Sequence, residues 1–469
     1  KTWKEDVSVS TITEYLESLH GYSIAVIGMG VSNTPLIRMF LRAGLKVTVC
    51  DKAPRERVEE QAAELESLGA KLHLGPAYLD RLARFDLIFR TPGLSPNTPE
   101  LREAAERGSI VTSEMELFFQ LCPCKIIGVT GSDGKTTTTT LISEFLKEAG
   151  YNVYVGGNIG KPLLPDVAGM TPEDMVVVEL SSFQLMSMGQ SPNVAVFTNL
   201  SPNHLDYHHT MEEYTAAKIN IFRYQEPGDR AIFNYDNDIT RALSKQAPAA
   251  VMLFSRKQSL EEGVYLRDGA IWLTNEIGSR EVLPLADIQI PGVHNIENYM
   301  AAIAAVDGLV PDKKVRAVAQ RFTGVEHRIE LVRELDGVKY YNDSIGTSPT
   351  RTMACLDSFN QKLILIAGGY DKGVPFTQLG VEIIKKVKTL ILTGDTAPAI
   401  RKAVEEAEGY RDSGLKLIET EDLSAAVAAA QGAAVAGDVV VLSPACAAFD
   451  RFKNFMERGR IFKELVNAL

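Results

Sequence analysis

The residues with the clearest chemical purpose are Gly131-Ser132-Asp133-Gly134-Lys135-Thr136. They lie between the β-type run Lys125–Thr130 and a helical stretch reaching about Gly150. A strand, a glycine-bracketed turn and a Lys-Thr pair opening a helix form a phosphate cradle, because backbone N–H groups and the positive helix end face the anion. Lys135 then neutralises phosphate charge and the Thr136 hydroxyl is suited to Mg²⁺. The strict GxxxxGK[ST] spacing fails, since the position five before Gly134 is Val129. Two further strand ends carry polar groups: Val176-Val177-Val178 closes in Glu179, and Val194–Phe197 leads to Asn199 and on to Asn203-His204. Ligands of parallel α/β sheets sit beyond the carboxyl ends of strands, so the loop, Glu179 and His204 are expected to converge, with Glu179 as a Walker-B-like metal ligand.

Lys218 is the unusual residue. Thr210-Met211-Glu212-Glu213 fits a capping box, and the helix it opens has an apolar stripe of Tyr214, Ala217, Ile221 and Phe222 with Lys218 inside it. Such a lysine either snorkels to solvent or is held in an enclosed site, where desolvation lowers its pKa and makes the amine nucleophilic. The pattern alone leaves both open.

These groups need a scaffold, and short β-rich runs alternating with longer helical ones predict an α/β chain with parallel sheets in three blocks. The first holds strands Ser23–Ile27, Lys46–Cys50 and Asp86–Arg90, with a helix through Leu41. Around Glu114–Cys124 the chain crosses to the second, with strands at Lys125–Thr130, Met175–Leu180 and Val194–Thr198 and a helix from Asn295 to about Val306. Thr323-Gly324-Val325 marks a junction to the third, with strands at Lys362–Ala367, Thr389–Leu392 and Val439–Leu442. The expected domains are 1–115, 116–322 and 323–469, in keeping with about three domains at roughly 150 residues each.

Composition narrows the classes. With 49 Lys+Arg against 60 Asp+Glu the formal charge is −11, which argues against nucleic-acid binding but leaves room for a local basic pocket. No apolar run approaches the roughly 18 to 20 residues of a membrane helix, and no basic segment followed by an apolar one suggests a secretory signal. The five cysteines, an odd number scattered through 469 residues, read as reduced cytoplasmic thiols, and Cys122-Pro-Cys124 lacks the second pair a zinc site needs.

The motif set resembles the Mur ligases. Thr130 to Thr137 is similar to that family's nucleotide loop, which is one spacing tighter than the generic pattern. Gly157-Asn158-Ile159-Gly160, Glu179-Leu180-Ser181-Ser182-Phe183-Gln184, Asn203-His204-Leu205-Asp206, His294-Asn295-Ile296-Glu297-Asn298, Glu326-His327-Arg328 and Asn342-Asp343-Ser344 match its other blocks in order. Gly28-Met29-Gly30-Val31-Ser32 and the ending Ser443-Pro444-Ala445-Cys446-Ala447-Ala448-Phe449-Asp450 with Phe452-Lys453-Asn454-Phe455 are similar to the D-glutamate-adding branch.

The resemblance implies three domains: a Rossmann-like UDP-binding domain, a central P-loop-type ATPase domain and a Rossmann-like C-terminal domain. It implies an ATP- and Mg²⁺-dependent ligase of peptidoglycan precursor synthesis that adds D-glutamate to UDP-N-acetylmuramoyl-L-alanine through an acyl phosphate. It assigns Gly131, Ser132, Asp133, Gly134, Lys135, Thr136 and Thr137 to the ATP phosphates, Asn295 and Asn298 to the adenine, and Arg328 and Asp343 to ATP from the C-terminal side. Thr136, Glu179, His204 and Lys218 become metal ligands, Lys218 as a carbamate that turns a cation into a carboxylate. Asn158 and His204 approach the nucleotide-sugar substrate, while Val31, Ser32, Asp51, Lys52 and Thr91 hold its uridine diphosphate. His327 orients the reacting groups, and Thr347, Lys372 and Phe455 hold D-glutamate. A cytoplasmic monomer is expected.

Two positions depart from the family pattern: Ile345 stands where many members have lysine, and Ala448 where some have serine. The first block alone suggests a different protein, because Gly28-x-Gly30 with Asp51 closing the next strand resembles a dinucleotide fingerprint. Its third glycine is Asn33, however, so a dehydrogenase reading rests on a broken motif. Other rivals are folylpolyglutamate synthetase, which normally lacks a separate UDP-binding domain, and a nucleotide-dependent switch.

Overall fold

The computed structural model describes residues 11–201, 208 and 210–469. His204 lies outside them. Three sheets carry the chain. The first has five parallel strands in the order Lys71–Leu74, Val47–Asp51, Ile24–Ile27, Leu87–Phe89, Ile110–Thr112. The second has nine, and at its centre Lys125–Thr130 lies between Met175–Glu179 and Val194–Phe197, all parallel. The third has six, with Val439–Leu442 between Val338–Asn342 and Leu363–Ala367. The central strands of each are apolar on both faces, as sheets covered by helices on both sides require.

The expectation of parallel sheets needs a correction at two places. Gly263–Arg267 and Ala270–Asn275 pair antiparallel, and so do Glu330–Leu335 and Val338–Asn342. Both connections are Asp-Gly: Asp268 and Gly269 have φ of 50° and 76°, and Asp336 and Gly337 have 51° and 76°. Consecutive positive φ values give a primed turn whose twist matches a hairpin, and Asp-Gly adopts it at low cost. In the first hairpin Arg267 also stacks 3.7 Å over the Trp272 ring across the pair.

The chain forms two compact units, one of residues 1–283 and 297–315, the other of 284–296 and 316–469. Within the larger unit one apolar cluster runs from Phe40 and Phe89 of the first sheet, through Met115 and Phe118, to Val176 and Phe197 of the second. In the smaller unit the sheet is covered on one face by Leu356, Leu379 and Ile400 and on the other by Leu423, Val427 and Phe462.

The helix Glu114–Leu121 stitches the larger unit together. Ser113 caps it by accepting from the Glu116 N–H, and the buried Glu114 carboxylate accepts from the Leu164 N–H at 3.3 Å. Burial pushes the Glu114 carboxyl up to about 7, with the Leu164 bond opposing. The folded state therefore holds a proton that the unfolded chain releases near pH 4. The contribution of Glu114 to stability is fully present below about pH 4 and declines as pH rises to about 7, by about 3 kcal/mol at most. Urea unfolding of Glu114→Gln across that range should remove this slope.

Candidate active site

The strand Lys125–Thr130 ends at a loop whose shape depends on two glycines. Gly131 has φ 153° and Gly134 φ 79°. A Cβ at Gly131 would strike the Thr198 hydroxyl, and one at Gly134 would strike the Asn298 amide oxygen. The helix Lys135–Ala149 starts directly after Gly134 with no side-chain cap, which leaves its first N–H groups facing the loop. The neighbouring strand end fastens the loop. The Thr198 hydroxyl donates to Asp133 O at 2.6 Å, the Asn199 amide bonds Asp133 N–H and C=O, and Ser132 exchanges bonds with the Ser201 backbone at 2.9 Å. Thr137 is buried at the base, and Thr138 donates to the Asn298 side chain at 3.3 Å.

Three expected groups meet at one carboxylate. Glu179, 2% exposed, accepts from the Thr136 hydroxyl at 2.7 Å on one oxygen and from the Asn158 amide at 2.8 Å on the other. Gly157, at φ 94°, allows this approach, since a Cβ there would meet Glu179 O. This is a hard oxygen site beside a phosphate loop, and it fits Mg²⁺.

Lys218 is enclosed rather than snorkelling, at 1% exposed. Its helix, Met211–Arg223, is capped by Thr210, which accepts from the Glu213 N–H. Lys218 Nζ donates to the Thr130 hydroxyl at 3.0 Å and to Gly131 O at 2.8 Å, and lies 5.0 Å over the Tyr214 ring. Lys135 Nζ donates to the same Gly131 O at 3.0 Å and to Ser132 O at 2.8 Å. Burial first, then the Lys135 charge, holds the Lys218 ammonium well below the usual lysine range, against the pull of Glu179 and Asp133.

In the first sheet Gly28 has φ 93° and would press a Cβ against Thr91. Val31 is 76% exposed at the turn, with Ser32 half-buried beside it and Lys52 exposed. Asp51 accepts from the Met29 and Ala53 N–H groups, both at 2.8 Å, so both carboxylate oxygens hold the turn itself. Where the dinucleotide fingerprint has its third glycine, the buried Asn33 donates to Ile27 O at 2.8 Å. The side chain thus ties helix to strand end where that glycine would allow bare contact.

The smaller unit holds a second cluster. His327 has φ 64° and lies edge-on to Phe455 at 6.0 Å; its Nδ1 is 2.9 Å from the Asn342 amide, and burial lowers its pKa. The buried Asp343 accepts from the Ser443 hydroxyl at 2.7 Å, and burial raises it to about 6 while Arg328 opposes. Lys372 Nζ donates to Thr347 O at 3.3 Å. Asn295 donates to Pro291 O at 2.5 Å.

The sequence reading missed two groups. Asn199 follows a buried strand and was read only as part of its exit. Arg458, 3% exposed, donates to Ser344 Oγ and O, Cys446 O and Ala447 O at 2.9 to 3.1 Å, while Ser344 Oγ donates to Phe455 O. It thereby joins the Asn-Asp-Ser turn to the Cys446–Ala448 segment. Gly459 beside it was the available signal, since a Cβ there would strike His327 Nδ1.

Three family models match the chain: a Mur ligase MurD-like N-terminal domain over residues 22–113, a Mur ligase middle domain over 129–306, and a Mur ligase glutamate ligase domain over 327–446. The chain is 51% identical over 460 residues to the UDP-N-acetylmuramoylalanine–D-glutamate ligase of Acetivibrio thermocellus, covering 98% of this chain and 99% of that protein. It is 49% identical to that of Clostridium novyi over 98% and 99%. Among solved structures, the UDP-N-acetylmuramate-alanine ligase MurC of Thermotoga maritima superposes with TM-score 0.56 at 20% identity over 95% of this chain and 99% of that one. A pseudomurein peptide ligase type C from Methanothermus fervidus gives 0.52 at 18% over 96% and 100%. These two support the fold.

Arg458→Met leaves four buried acceptor sites short of their donor, so it should destabilise the smaller unit by about 3 kcal/mol or more. An unfolding midpoint equal to the parent's in urea would show that those bonds contribute nothing.

Proposed function

Because the chain belongs to the Mur ligase family, we propose that it joins D-glutamate to UDP-N-acetylmuramoyl-L-alanine at the expense of ATP, the reaction for which its relatives are named. The observation that carries this is their near-full-length identity, 51% over 98% of this chain, acting together with a phosphate loop, Thr136, Glu179 and Lys218 gathered at one strand edge. The alanyl carboxylate attacks the γ-phosphoryl group of ATP, giving ADP and an acyl phosphate. The amine of D-glutamate then adds to the carbonyl carbon, phosphate leaves, and the amine proton is lost.

The chain's residues supply position and charge. The helix N–H groups after Gly134 and the Lys135 ammonium face the triphosphate, and Lys135 exchanges its loop carbonyls for phosphate oxygens that gain charge in the transition state. Thr136 and Glu179 would hold Mg²⁺, with His204 and Lys218 as further ligands. Bound there, the ion offsets charge on the transferring phosphoryl group. Arg328 and Asp343 are the further residues assigned to ATP; Thr347, Lys372 and Phe455 receive D-glutamate; His327 orients the reacting groups. Val31, Ser32, Lys52 and Thr91 face the uridine diphosphate, and Asp51 shapes the turn that does so. A cytoplasmic location is in keeping with these substrates and with five free cysteines; no helix among the described residues is long and apolar enough to cross a membrane.

Lys218 acts as a carbamate. Its amine attacks CO₂, forms the N–C bond and releases one proton, which requires the neutral amine. Supporting this, burial and the charge of Lys135, whose Nζ donates to the same Gly131 carbonyl, both disfavour the ammonium.

Crossing UDP-N-acetylmuramoyl-L-alanine with D-glutamate, L-lysine, meso-diaminopimelate and L-alanine and following ADP release should give fast turnover with D-glutamate only; equal use of L-lysine would move the chain to another branch of the family. With ¹³C-bicarbonate, NMR of the intact protein should give a carbamate carbon signal that Lys218→Ala abolishes, and activity should fall on CO₂ removal and return with bicarbonate. A spectrum identical in both proteins would overturn the carbamate.

A further inference from the structure

Arg90 is the largest fully buried side chain, 1% exposed, at the end of the strand Leu87–Phe89. A guanidinium is kept out of water only when its donors are matched and its charge is answered. One terminal nitrogen donates to Leu94 O at 3.0 Å, on the turn that begins with Thr91 and Pro92. The other donates to Phe183 O at 3.2 Å and Ser187 Oγ at 2.6 Å, on the segment that follows Glu179. The Ser187 hydroxyl passes its own proton on, donating to Glu116 at 3.0 Å, and Ser113 donates to the same carboxylate oxygen at 2.8 Å. Arg90, Ser187 and Glu116 therefore form a charge pair relayed by a hydroxyl, with Arg90 buried and the other two half-buried. All three belong to the larger unit.

What the relay joins is informative. A narrow cleft opens between the first and second sheets, lined by Ser32, Pro92, Ser113, Glu114, Gly157 and Gln184. Pro92 belongs to the turn Arg90 holds, Gln184 to the segment it holds, and Ser113 bonds Glu116. The relay thus fastens three walls of one cleft from behind. That cleft runs from the turn carrying Ser32 towards Gly157, next to Asn158 on Glu179.

We propose that Arg90, acting through Ser187 and Glu116, is a positioning residue that sets the spacing of this cleft for the nucleotide-sugar substrate, an inference that rests on the ligase reading above. Arg90 touches no reacting group. Its forked donors reach two segments at once, which a lysine's single ammonium does less well. Loss of the fork leaves the Pro92 and Gln184 walls free to separate, and this weakens substrate capture while ATP capture at the phosphate loop stays as it is.

The test compares full-length parent, Arg90→Lys, Arg90→Met and the double variant Arg90→Met/Glu116→Gln, measuring melting temperature and, by ADP release, KM for each of the three substrates and kcat. Arg90→Met should raise KM for UDP-N-acetylmuramoyl-L-alanine roughly tenfold or more, the effect of losing well-placed hydrogen bonds, with KM for ATP within about twofold; Arg90→Lys should fall between it and the parent. The double variant removes both members of the charge pair, so its melting temperature should recover while the raised KM persists. A KM that recovers along with stability, or one that is unchanged in any folded Arg90 variant, overturns the positioning role. A parent that releases no ADP with the UDP substrate and D-glutamate overturns the ligase reading and this inference with it.

Discussion

Two lysine side chains donate to one carbonyl, that of Gly131, and much of the central site follows from that crowding. Two ammonium groups so close in a water-poor environment repel each other, so one of them gives up its proton more readily. Lys135, half-buried at the start of its helix, has solvent and the carbonyls of Gly131 and Ser132 to answer its charge. Lys218, sealed on the apolar face of Met211–Arg223, has the Thr130 hydroxyl, a shared carbonyl and the face of the Tyr214 ring. The asymmetry bears hardest on the Lys218 ammonium, which burial and the Lys135 charge both disfavour. It depends on Gly131 reaching a backbone conformation that brings its carbonyl between them, and a side chain at that position would run into Thr198.

The same economy holds at Glu179. A carboxylate closing a strand that is buried throughout would be costly alone. Here Thr136, at the start of the helix Lys135–Ala149, satisfies one oxygen and Asn158, just after Gly157, the other, so the burial that raises the cost also fixes the geometry.

The parts of this arrangement legible in the sequence were those whose chemistry is written in residue type at fixed spacing. The glycine turn, its lysine and threonine, and the acid ending an apolar strand each stand where the pattern places them, and the strand boundaries fall within two residues of expectation. The Asp-Gly hairpins at 268–269 and 336–337 were legible too, but a βα rhythm read along the whole chain drowned a two-residue signal. Arg90 and Arg458 were not legible. Arginine in a sequence reads as surface, and nothing local says that Leu94, Phe183 and Ser187, or Ser344, Cys446 and Ala447, will converge on one guanidinium from positions up to 114 residues apart. Long-range convergence of backbone carbonyls carries no residue-type signature.

That distinction bears on the two departures from the family pattern. Ala448, 2% exposed, brings no hydroxyl where some relatives have serine, and Ile345 brings no ammonium where many have lysine. Both positions are nonetheless anchored through the main chain: Ala448 O accepts from the Arg451 and Phe452 N–H groups, and the Ile345 N–H donates to His327 O at 3.1 Å. Arg458 braces both neighbourhoods at Ser344 and Ala447. The backbone frame is held independently of the two side chains that changed.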